Sequence, residues 1–178
     1  MTQREALISL VREDTWRLAR LREARSLGLS DWWLAAGFVR NAVWDHLHGY
    51  ARTPLNDIDL IHFDATDTRA ERDAELEACL REISSLPWSV KNQARMHRRN
   101  DHAPYASATH AMRFWVERET AVAVRLERDG ELTLSAPLGL GSLMAGRITP
   151  NPHHADREVF HRRLEEKRWL ERWPHLET

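Results

Sequence analysis

Two hydrophobic periods alternate along the chain, and their order predicts its elements. Residues 4 to 25 carry Leu7, Leu10, Val11, Leu18 and Leu21 at helical spacing among charges, with Asp14 interrupting the stripe. "WWLAAG" reads as a short buried strand that changes direction at Gly37. In the segment that follows, Val39, Val43 and Leu47 fall at i, i+4 and i+8. That predicts a helix closed by Gly49, with Arg40 and Asn41 turned away from its buried stripe.

The period then drops to two. After the loop "ARTPLN", the run "DIDLIHF" places Asp57 and Asp59 on one face of a strand and Ile58 and Leu60 on the other. Asp64, at the end of this run, is expected to cap a helix starting near Thr66. Residues 68 to 86 return to helical spacing, with Leu76, Cys79, Leu80 and Ile83 sharing a face, and Pro87 stops them. "WSVKNQA" is a strand and "RMHRRNDHAPY" a polar connection. The clearest hairpin is "TAVAVRLERDGELTLSAP": Val122, Val124 and Leu126 alternate, Asp129-Gly130 turns, and Leu132 and Leu134 return. Residues 156 to 173 form a last helix carrying Phe160, Leu164, Leu170 and Trp173.

Helices and strands in this order, ending in a hairpin, specify an α/β or α+β domain with a mixed sheet rather than a doubly wound parallel one. The 178 residues, 42% apolar with eight tryptophans, suit one domain spanning 1–178. Lys plus Arg (26) nearly cancel Asp plus Glu (27), so any preference for polyanions must be local. The lone Cys79 is expected to be a small buried hydrophobe, and one cysteine allows no disulfide within the chain. Without an apolar leader or a membrane-length apolar run, a cytoplasmic protein with no membrane partner is expected.

The chemistry concentrates in residues 35 to 64. A nucleoside triphosphate needs unpaired backbone amides at a helix start and a residue without a side chain for close approach, and Gly37 occupies such a place. Arg40, one turn on, can add a charge-assisted phosphate contact. Bridging metal ions need oxygen ligands from a rigid element, and Asp57 and Asp59, two apart on one strand face, supply a pair.

"AAGFVRNAVWDHLHGYARTPLNDIDLIHFD" resembles the core of the nucleotidyltransferase superfamily, the group with the DNA polymerase beta type palm, and is similar in particular to CCA-adding enzymes and poly(A) polymerases. "DWWLAAGFVRN", "WSVKNQARMH", "APLGLGSLMAGRITPNP" and "KRWLERWP" extend a resemblance to small bacterial nucleotidyltransferases from about Asp31 to Trp173. It implies an α+β palm with N- and C-terminal helices in which Gly37 opens the phosphate-binding helix and Asp57 and Asp59 hold catalytic Mg2+. The nucleotide site is expected at Gly37, Phe38, Arg40, Asn41, Lys91 and Asn92. Two departures from the family pattern stand out. Phe38 follows Gly37 where a second small residue is usual, and Lys91 and Asn92 lie where a third acid is expected, leaving Asn92 or Glu117 as substitute ligand.

The implied activity is transfer of a nucleoside monophosphate from a triphosphate to a hydroxyl, with release of pyrophosphate. The acceptor, whether small molecule, protein or RNA, and the oligomeric state stay open. Two other readings are a catalytically weakened nucleotide-binding or regulatory module of the same fold, and a nucleic-acid binder acting through the basic run 91–100, "KNQARMHRRN".

Overall fold

A computed structural model describes residues 1–154 and 156–178. Its elements run α1 (Gln3–Glu13), α2 (Thr15–Arg25), β1 (Trp32–Ala35), α3 (Gly37–Leu47), β2 (Ile58–His62), α4 (Ala70–Ile83) and β3 (Trp88–Asn92). A 3-10 helix (Gln93–Asn100), α5 (Ala108–Met112), β4 (Ala123–Leu126), β5 (Leu132–Ser135), α6 (Gly141–Met144), α7 (Arg157–Lys167) and α8 (Trp169–Arg172) complete it. The fold is α+β, as expected. Five strands form one mixed sheet in the order β3-β2-β1-β4-β5, with only β2 and β3 parallel.

Strand alternation divides the sheet into two faces with different fates. Leu34, Ile58, Leu60, Val90 and Val124 point to one side and join the main core with residues of α1 to α4. Fully burying each such side chain stabilises the fold by about 1.5–3 kcal/mol. Trp33, Ala35, Ile61 and Ala123 point to the other side, where Ala108 and Met112 of α5 cover only part of the sheet. Asp59 shares that second face, since it pairs with Ala35 and lies two residues from Ile61. The carboxylates therefore open onto the incompletely covered side.

Several local expectations change. The predicted helix 4–25 is two helices, because the Asp14 carboxylate caps the second by accepting from Arg17 N at 3.0 Å. Val39 and Val43 are buried as expected, but Arg40 and Asn41 are buried too and Leu47 is 41% exposed. Every residue from Gly37 to Asp45 is buried, so a one-sided pattern does not describe the first part of α3. Cys79 and Ile83 are exposed; the inward face of α4 is Asp73, Leu76 and Leu80. Asp64 makes a local turn to Thr66, and its helix begins only at Ala70.

The last helix also breaks. Arg168 adopts a left-handed conformation (φ 52°), which rotates the register so that Trp169 is buried and Leu170 is 39% exposed. Trp173 Nε1 then donates to Asp45 Oδ1 at 2.8 Å, pinning the C-terminal segment against α3. Among the described residues no helix is long and apolar enough to cross a membrane.

Candidate active site

The site begins at a strained turn. Ala36 links β1 to α3 with φ 56° and ψ −125°, a conformation that costs a non-glycine residue about 1–3 kcal/mol. Its N–H donates to Val122 O at 3.0 Å, and its carbonyl accepts from Val39 and Arg40. The N–H groups of Gly37 and Phe38 have no partner among the described residues, so the helix start presents two free amides. The missing side chain at Gly37 also leaves room for its neighbours. A Cβ there would sit 3.3 Å from Arg40 Nη2 and 3.5 Å from both amide atoms of Asn41.

Asp57 and Asp59 face this turn. Both line a cleft of about 910 Å3 and a deeper neck of about 100 Å3, and Ala36, Thr120, Arg163 and Lys167 also line both. Burial, and next the nearby Asp57 charge, push the Asp59 carboxyl up to about 6. Two like charges crowded into a half-enclosed site favour a shared cation, and two carboxylates offer the hard oxygen donors that Mg2+ takes. The donor set therefore fits a divalent ion. Among the described residues no third acid, histidine or cysteine converges on the pair.

The structure separates the other sequence-predicted residues. Gly37, Arg40 and Asn41 line the neck, and Lys91 lines the cleft. Arg40 is 7% exposed and held on every side. Its Nη1 donates to Thr120 Oγ1 at 2.8 Å, Nε and Nη2 donate to Asn41 Oδ1, and its guanidinium lies 4.8 Å from the Trp44 centroid and 4.6 Å from that of Trp169. Burial lowers its pKa to about 10 against the pull of Glu117, so it stays charged. Two of its five N–H groups remain unspent.

Phe38 is fully buried, its ring in the core beside Trp16, and it lines neither the cleft nor the neck. Asn92 is not a cleft residue. Strand parity turns it to the covered face, where Oδ1 accepts from Asp64 N and Ala94 N while Nδ2 donates to Asp64 O and Asp67 O. Those four bonds consume the amide. Glu117 reaches the cleft but is already engaged: Thr120 Oγ1 donates to Oε2 at 2.8 Å, and Arg163 Nε donates to Oε1 at 2.6 Å. Its place is to orient Arg163 and, through Thr120, Arg40. The basic run is divided as well, since Arg95 pairs with Asp73 of α4 while Lys91 and Arg99 reach the cleft.

Arg163 and Lys167 were not singled out from the sequence. With Val159 they fall at i, i+4 and i+8 of α7, and all three line the cleft. A cationic stripe beside the apolar Phe160 and Leu164 was the available signal, but a distance of about a hundred residues from Asp59 hid its partner.

A family model described as nucleotidyltransferase matches residues 22–178. Among solved structures, one titled as revealing a CCA-adding enzyme head domain, determined by NMR, is 37% identical, with a TM-score of 0.85 over 98% of this chain and 95% of its own. Two structures of a tRNA-processing enzyme are 18% identical, with TM-scores of 0.55 and 0.56; each matches 88% of this chain, and this chain spans 44% and 42% of theirs. At that identity they show the fold alone. No curated protein matches the chain.

Proposed function

The chain belongs to the nucleotidyltransferase family, and we propose that it is a metal-dependent enzyme moving a nucleoside monophosphate from a triphosphate to a hydroxyl acceptor. The observation that carries this reading is the shared cleft. Asp57 and Asp59 line it together with Arg163 and Lys167 of α7, and Gly37, with its free amide, lines the neck beside them.

In this reading Asp57 and Asp59 hold the divalent ion. When bound, that ion supplies positive charge between the carboxylates and the phosphates. The amide of Gly37, together with Arg163, Lys167 and the unspent N–H groups of Arg40, binds the β and γ phosphates. This leaves the α-phosphorus facing the wide part of the cleft. The acceptor hydroxyl attacks there in line and gives up its proton to solvent, its oxygen bonding to the α-phosphorus as the bond to the bridging oxygen breaks, and pyrophosphate leaves against the cations of α7. Positioning and fixed charge provide the acceleration.

Arg40 differs from its expected role. Three bonds and two indoles hold it, so it works first as the rigid floor of the neck and only through its remaining donors as a phosphate ligand. The cleft volume of about 910 Å3 sits near the top of the usual range for small-ligand sites, which leaves room for an acceptor beside the nucleotide.

The test is pyrophosphate release with each triphosphate, Mg2+ and pooled acceptors of several chemical classes. Wild type is expected to release it and Asp59→Asn to lose at least about a hundredfold of that rate. Nucleotide binding without release from any pool would favour a non-catalytic module instead.

A further inference from the structure

A second cavity, of about 670 Å3, is lined by residues of the segment 149–154 and shares His154 with the cleft. Three arginines line it: Arg118 before β4, Arg147 after α6, and Arg157 at the start of α7. No Asp or Glu appears on its wall among the described residues. Arg118 and Arg157 make no ion pair among the described residues, and Arg147 has only Glu177, 4.0 Å away, with both side chains more than half exposed. Such a pair contributes little. Ser142 adds a hydroxyl to the same wall.

The wall is fixed independently of any ligand. Arg118 N donates to Thr149 O at 3.1 Å, and the buried Glu119 carboxylate accepts from Thr149 N at 2.9 Å and Thr149 Oγ1 at 2.6 Å. Asn151 Nδ2 donates to Arg113 O and Trp115 O, both at 2.7 Å. Three arginines from distant parts of the chain therefore line one cavity beside a pinned segment, and of these only Arg147 has an ion-pair partner among the described residues. Planar, fully charged forks in that number suit a phosphate dianion better than a single carboxylate.

We infer that the Arg118, Arg147 and Arg157 cavity binds a phosphate group carried by the acceptor, holding one end of it while its hydroxyl lies in the adjoining cleft. The role as an acceptor handle rests on the transfer reading above; anion binding by the cavity does not. Helix α7 couples the two places, with Arg157 in the cavity and Arg163 and Lys167 in the cleft. An acceptor bound at one end is thereby positioned against a nucleotide bound at the other.

The experiment is an NMR titration of the whole chain with inorganic phosphate, following backbone amides and arginine Nε signals. Saturable shifts are expected at Ser142, Arg147 to Thr149 and Asn151, and at the Nε of Arg118 and Arg157. The double variant Arg118→Gln, Arg157→Gln is expected to weaken this binding at least about tenfold. Shifts confined to Ala36, Gly37 and Arg163, or unchanged by the double variant, would overturn the proposal. Glycerol 3-phosphate and a short oligothymidylate, as competitors, separate a monoester from a diester source, and failure of both to displace phosphate would also overturn it. In the transfer assay the same variant is expected to raise the acceptor KM without changing the triphosphate KM, and the opposite split would count against it. If wild type releases no pyrophosphate at all, the transfer reading fails while the phosphate titration still decides the cavity.

Discussion

The guanidinium of Arg40 lies 4.6 Å from the ring centroid of Trp169, a residue placed there by the left-handed break at Arg168. Trp44 lies beside it, its centroid 4.8 Å from the same guanidinium and 5.7 Å from that of Trp169. A charge buried in the corner of two indoles is desolvated, and a planar cation over an indole gains about 2 kcal/mol under those conditions. Arg40→Lys keeps the charge but not the fork, and Trp169→Phe weakens the face. Urea unfolding of the two single variants and the double variant is expected to give a coupling of about 1–2 kcal/mol. A coupling near zero would mean that the stacking is incidental.

Asp59 gives a pH-dependent prediction. Its carboxyl is pushed up from 3.8 to about 6 in the folded chain, by burial first and Asp57 second. Between those values the folded state holds a proton that the unfolded state has released, so metal-free stability falls as pH rises through that window. Asp59→Asn removes this contribution. The variant's melting temperature is therefore expected to gain on that of wild type from pH 4 to pH 7 in chelator, and an excess that stays flat over the range would refute the shift.

Ala36 carries strain that glycine would relieve. At φ 56° and ψ −125°, Ala36→Gly is expected to raise unfolding free energy by about 1 kcal/mol, the relief being reduced by glycine's larger unfolded-state entropy. Denaturant midpoints check it. A loss of stability would show that the alanine methyl packs against something worth more than the strain.

Much of this was legible in the sequence because the signals were local. The hairpin pairs Val124 with Leu134 and Leu126 with Leu132 around Gly130 at φ 88°, as its alternation and Asp-Gly turn imply. The helix of residues 37–47 and the strand bearing Asp59 follow from periodicity in the same way. What was not legible depended on distant neighbours. Nothing near Arg40 in sequence reveals Thr120 or Trp169, and a helical stripe cannot show that every residue from Gly37 to Asp45 is buried. Asn92 and Glu117 carry the right atoms for metal ligands, yet only the fold shows that Asn92 is spent on Asp64 and that Glu117 pairs with Arg163.

The central claim is that Asp57 and Asp59 share a divalent cation beside the opening of α3. Mn2+ added at substoichiometric levels to isotope-labelled protein, with a nonhydrolysable triphosphate present, tests it directly through paramagnetic broadening. The account predicts selective loss of the Ala36, Gly37 and Asp57 to Leu60 amide signals, abolished by Asp57→Asn with Asp59→Asn. Broadening centred elsewhere, or unchanged in the double variant, would contradict it.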